Sequence, residues 1–166
     1  MSFSETAVYF KERFDLPLSL DEIKAIWVRM SIDKYRHEVP LKPGVLEFLK
    51  YCKENGIRTG IGTSNGSEIV DAVLTSLKVK ESFDVVVTAC EVAHGKPEPD
   101  IYLEVAKRLG AKPEDCLVFE DIPAGIMAGK AAGMQVIAVE DNFSKDLMDE
   151  KRALADAVIS DYRELL

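Results

Sequence analysis

The stretch "CLVFEDIPAGIMAGKAAGM", residues 116–134, decides the fold. A short apolar run ends in two adjacent carboxylates, Glu120 and Asp121, and the chain then enters a helix near Pro123 made almost wholly of small residues. Four or five apolar residues followed by a proline-led helix read as the strand and crossover of a βαβ unit. Gly125, Ala128, Gly129 and Ala132 recur at helical spacing, which lets the helix lie close against a sheet.

Outward from that stretch the same alternation continues. Apolar runs at 57–62, 83–89, 135–139 and 157–159 read as strands, and they are spaced by helical patterns at 67–79, 100–110 and 144–155. Short buried strands separated by helices imply an α/β class with a doubly wound parallel sheet covered on both faces. Gly110 and Pro113 end one helix and Gly133 the next, while Asp100 after Pro99 reads as an N-cap. Ahead of this core, residues 4–14 and 20–38 read as helices, the second with Leu20, Ile23, Ile26, Trp27 and Met30 on one face as core. The joint "VPLKPGV", residues 39–45, carries two prolines and a glycine. A helical segment, residues 1–39, is therefore expected ahead of an α/β core, residues 40–166.

The 166 residues are 47% hydrophobic and 30% charged, suited to one compact domain with a small appendage. With 21 Lys+Arg against 29 Asp+Glu the formal net charge is −8, which repels polyphosphate backbones and argues against nucleic acid as a partner. No apolar run is long enough for a membrane span and the first residues lack a secretory pattern, so a cytoplasmic protein is expected. Cys52, Cys90 and Cys116 form no CxxC, and His37 and His94 are too few and too far apart for a histidine metal site. Any metal would be a hard cation held by oxygen, which points back to Glu120 and Asp121.

Three polar clusters fall at the carboxyl ends of strands, where ligands gather in doubly wound sheets. In "GTSN", Thr63, Ser64 and Asn65 precede a helix, so a hydroxyl and backbone N–H groups can hold a phosphate or simply cap the helix. In "GKPEPD", Lys96 is flanked by Pro97 and Pro99, which fix the backbone and aim the ammonium at a phosphate or at carboxylates. The third is the Glu120–Asp121 pair, whose mutual repulsion a Mg²⁺ ion would relieve.

In this order, "GTSN", "GKPEPD" and "FEDIPAGIMAGKAAGM" resemble the second, third and fourth motifs of the haloacid dehalogenase (HAD) superfamily, in its β-phosphoglucomutase-like phosphatase branch. The resemblance covers most of residues 40–166, and it makes residues 1–39 part of the helical cap of that branch. It implies a HAD-like (Rossmann-like) core and a Mg²⁺-dependent hydrolase of small phosphorylated metabolites acting through an aspartyl-phosphate. It further implies that Thr63 bonds the transferring phosphoryl group with Ser64 and Asn65 as nearby donors. Lys96 would stabilise the nucleophile and the phosphoryl charge, and Glu120 with Asp121 would hold Mg²⁺ directly or through water.

The family's first motif, Asp-x-Asp-Gly after a central first strand, occurs nowhere in these residues. Asp100, Asp115 and Asp141 read as caps or turn residues and do not replace the nucleophile. The expectation is a truncated chain, with Met1 an internal methionine, inactive alone and left with two unpaired strand edges open to self-association. Other readings are a sugar phosphomutase, disfavoured by Phe3 where the mutase pattern carries a phosphate-gripping arginine, and a non-catalytic phosphate-binding or regulatory derivative. Ile122 stands where the family commonly has serine.

Overall fold

The computed structural model describes residues 3–166, with side chains from residue 6 onward. The chain divides into two compact units, Met1–Pro40 with Ser67–Lys78, and Leu41–Gly66 with Val79–Leu166.

The first unit holds α1 (Phe3–Arg13), α2 (Leu20–His37) and α4 (Ser67–Ser76). A capping box starts α2: the Glu22 N–H donates to Ser19 Oγ at 3.2 Å, and the Ser19 N–H donates to the Glu22 carboxylate at 2.8 Å. Both α1 and α4 pack on α2. The expected apolar stripe on α2 is only partly buried, since Ile23 is 2% exposed but Met30 is 56% exposed. Trp27 meets the Phe10 ring edge-on at 5.2 Å. The sequence places residues 67–78 with the α/β core, whereas in the structure they group with the N-terminal helices. The apolar face of α4, with Ile69, Val70, Ala72 and Leu74 buried, belongs to a helix that packs on α2.

The second unit runs α3 (Val45–Glu54), β1 (Gly60–Thr63), β2 (Val85–Thr88), α5 (Asp100–Leu109), β3 (Leu117–Glu120), α6 (Pro123–Ala131), β4 (Gln135–Val139), α7 (Met148–Leu154) and β5 (Ala157–Ile159). Every strand pairing is parallel, as the βαβ pattern requires. Strand β1 begins at Gly60 rather than Ile57, because the Thr59 N–H is taken by the Asp84 carboxylate at 2.8 Å. The expected helix at 144–155 is a 3-10 turn, Lys145–Leu147, followed by the shorter α7.

Residues of β4 alternate between two cores, which is how "QVIAV" becomes a strand buried on both faces. Val136 and Ala138 join Val87, Ile101, Val105, Val118 and Ile126 under α5 and α6. Ile137 and Val139 join Ile159, Phe119 and Tyr162 on the other side, where Phe48 of α3 packs on the Phe119 and Tyr162 rings. Ile101 and Ile126 are at most 1% exposed, and burial of each side chain contributes about 1.5–3 kcal/mol. The small residues of α6 do what their spacing predicts: a Cβ at Gly129 would run into Val136.

The strands form two sheets, β1-β2 and β3-β4-β5. The Asp84 N–H donates to Thr59 O, and the Gln135 N–H donates to Cys116 O. A strand turns successive backbone groups to opposite sides, so Gly60 and Gly62 of β1, and Leu117 and Phe119 of β3, face away from their pairing partners. Among the described residues, no strand pairs with either of these edges.

Candidate active site

Glu120 ends β3 at 8% exposure, where a carboxylate must be satisfied by its neighbours. Its Oε1 accepts from the Lys96 ammonium and from the Tyr102 hydroxyl, and its Oε2 accepts from the Asp121 N–H at 3.2 Å. Lys96 also donates to Gly62 O at 3.1 Å, a carbonyl on the unpaired edge of β1 and adjacent to Thr63. Its ammonium lies 4.8 Å from the centre of the Tyr102 ring. One lysine thus ties the carboxyl end of β1 to that of β3. The loop that presents it carries a cis Lys96–Pro97 bond.

Tyr102 comes from α5, two residues after Asp100. Burial raises its phenol well above the ordinary range, and the Glu120 charge raises it further, so it remains a proton donor to Glu120. Gly125 sits beneath the same carboxylate, and a Cβ there would overlap the Glu120 carboxyl group. This is the close approach for which the small residues of α6 are needed.

Asp121 has a different environment. Its side chain is 42% exposed and lies 3.4 Å from the Lys42 ammonium, which also pairs with Asp141. Lys42 belongs to the "VPLKPGV" joint and Asp141 to the loop after β4. The Lys42 contact holds the Asp141 carboxyl below the usual carboxylate range, with the Phe143 N–H donating to it as a further cause. Asp141 is therefore a turn residue, as its sequence suggests, and an ion-pair partner as well. A cavity of about 180 Å³ opens here, lined by Lys42, Phe119, Glu120, Asp121, Val139 and Tyr162.

The fit of this site to a divalent cation rests on its donor set. Glu120 and Asp121 supply hard oxygen donors, and an ammonium already stands against Asp121 as a cation does. No group of three or more His, Cys, Asp and Glu able to hold a metal occurs among the described residues. The two acids fit part of a magnesium shell.

Of the residues singled out in the sequence, Lys96, Glu120 and Asp121 form one connected group, and Thr63 adjoins it through Gly62. Thr63 Oγ1 accepts from the Asn65 N–H at 3.1 Å, while Ser64 and Asn65 are exposed in the turn after β1. Asp100 is the first residue of α5, after Pro99 at the cap position, and it accepts from the His94 N–H and lies 2.9 Å from His94 Nδ1. The Phe3 side chain lies outside the described residues. Sequence reasoning missed Tyr102, Lys42, Ser144 and Lys151. Tyr102 carried a usable signal, because it lies one helical step beyond the lysine loop; the other three are brought in from distant segments.

A model for "Hydrolase: haloacid dehalogenase-like hydrolase" matches residues 8–133. The chain is 36% identical over 136 residues to the bifunctional riboflavin kinase/FMN phosphatase of Arabidopsis thaliana, covering 81% of this chain and 36% of that protein. It is 31% identical over 157 residues to hexitol phosphatase B of Escherichia coli (strain K12), covering 95% of this chain and 69% of that one. Among solved structures, a putative beta-phosphoglucomutase from Thermotoga maritima superposes with a TM-score of 0.77 at 31% identity, over 98% of this chain and 74% of that one. The chain thus spans about one third of the first relative and about seven tenths of the other two. By its motifs, its parallel α/β core and these matches, the chain belongs to the haloacid dehalogenase-like hydrolase family.

Proposed function

We propose that this chain carries most of the active site of a phosphoric monoester hydrolase for small phosphorylated metabolites, sugar or polyol phosphates foremost. The observation that carries the reading is the reach of Lys96, which joins Gly62 O beside Thr63 to the carboxylate of Glu120 beside Asp121. Phosphoryl donors and cation ligands are thereby gathered at neighbouring strand ends. The Thr63 hydroxyl and the Ser64 N–H receive the phosphoryl oxygens, with the Asn65 N–H orienting the Thr63 hydroxyl and Asn65 close by, and Lys96 offsets their charge. Asp121, with Glu120 behind it, would hold Mg²⁺, which when bound supplies positive charge to the phosphoryl group. Lys42 yields Asp121 to that cation and remains paired with Asp141.

The nucleophile is the part these 166 residues do not supply. We assign it to an Asp-x-Asp segment seated as a strand between the unpaired edges of β1 and β3, where its carboxylate would meet both Lys96 and the cation. Without that strand the chain is inactive, and its open edges favour self-association. The phosphatase reading is favoured over the mutase one by relatives such as hexitol phosphatase B and by Phe3 in place of an arginine. The test compares Mg²⁺-dependent p-nitrophenyl phosphate hydrolysis by the 166-residue chain with that of the chain fused to an N-terminal Asp-x-Asp-Gly strand. Turnover is expected only from the fusion and is lost in its Asp121→Asn variant. Metal-dependent turnover by the 166-residue chain itself refutes the assignment.

A further inference from the structure

Lys151 of α7 is 0% exposed, the largest side chain so enclosed among the described residues. Its ammonium donates to Val139 O at 3.2 Å and to Ser144 Oγ at 3.1 Å, both neutral acceptors. Enclosing an ammonium is costly, and a methionine would fill the same space without that cost. The charge therefore needs a reason beyond packing.

Ser144 provides one. It is 7% exposed, and its hydroxyl donates to Asp121 O at 2.8 Å. A hydroxyl has one proton, so an ammonium held against its lone pairs turns that proton outward, towards Asp121. The order Lys151, Ser144, Asp121 runs from α7 through the loop after β4 to the loop after β3, with each donor pointing the same way. The positive charge of Lys151 also reaches Asp141, where it helps to hold that carboxyl below the usual carboxylate range, after the larger effects of Lys42 and Phe143.

We propose that Lys151 is a positioning residue for the cation site. Acting through Ser144, it fixes the backbone of Asp121 and so the direction in which that carboxylate is presented. The inference rests on the assignment of Asp121 as a cation ligand. Groups one step behind a metal ligand commonly change metal affinity about 10–100-fold when removed.

The test is Mg²⁺ titration followed by amide and carbonyl NMR shifts, in the wild-type chain and in Lys151→Met, Ser144→Ala, Ser144→Thr and Leu154→Ala. Lys151→Met and Ser144→Ala are expected to weaken Mg²⁺ binding about tenfold and to move the Asp121 carbonyl signal. Ser144→Thr, which keeps the hydroxyl, restores both. Leu154→Ala, on the same helix but against the core under α5 and α6, lowers the melting temperature and leaves the affinity unchanged. Should Lys151→Met fail to fold, the Ser144 pair decides alone. Wild-type affinity in a folded Lys151→Met or in Ser144→Ala, or an equal loss in Leu154→Ala, overturns the proposal while the cation site stands. A wild-type chain that binds no Mg²⁺ at millimolar concentrations overturns the cation site and this inference with it.

Discussion

Glu120 and Asp121 are neighbours in sequence and opposites in environment. Glu120 is 8% exposed, clamped by Lys96 and Tyr102 with Gly125 making room beneath it, and each of its oxygens already accepts from the protein. Asp121 is 42% exposed and shares the Lys42 ammonium with Asp141 beside a small cavity. Two adjacent acids therefore need not act as a pair. The buried member organises the site by gathering Lys96 and the end of β1, while the open member keeps a carboxylate that a cation can take.

That contrast can be broken most severely at Lys96. Removing one partner of a buried ion pair strands the other charge, so Lys96→Met should cost about 3 kcal/mol in urea unfolding at neutral pH. A loss no larger than that of an exposed pair would mean that Glu120 is not held as described. Gly125→Ala comes next, at about 2 kcal/mol, because the added methyl drives the Glu120 carboxyl out of its clamp. Tyr102→Phe keeps the ring against Lys96 and removes one bond to Glu120, for about 1 kcal/mol in the same measurement.

On the open side, stability should barely change while binding does. Lys42→Met is expected to cost under about 1 kcal/mol, since the ion pairs it loses are partly solvated, and to tighten Mg²⁺ binding severalfold in calorimetry. Weaker Mg²⁺ binding in this variant would show Lys42 to be a helper of the site and not a placeholder in it.

The smallest effect lies away from both acids. Glu91 is held at about 2 by the Thr88 N–H, Arg108 and the Thr88 hydroxyl. A carboxyl whose folded value is depressed stabilises the fold above its unfolded value near 4.5 and loses that contribution as pH falls towards 2. Glu91→Gln should therefore melt slightly below wild type at pH 7, with the two melting temperatures converging by pH 2.

Much of the second unit was legible because its signals are local. Pro123, the apolar run before Glu120 and the small residues after it set a strand, a turn and a close-packed helix within one short segment. "QVIAV" reads as a strand buried on both sides, and the structure divides its residues between two cores. The α2 stripe was less legible, because helical spacing tells which residues share a face and not how much of that face another helix covers. Residues 67–78 were misplaced for a related reason: their apolar face fits either neighbour, and only packing chooses α2.

The motifs, their order along the chain and their place at strand ends could be read from the amino acids, because strand and helix periods and turn chemistry are written in near neighbours. The absence of the family's Asp-x-Asp-Gly motif from these residues could be read there too. Tertiary structure alone decided what each acid does. Lys42 is 99 positions from Asp141 and Lys96 is 24 from Glu120. Burial, which separates a clamped carboxylate from an available one, exists only after such distant segments have packed together.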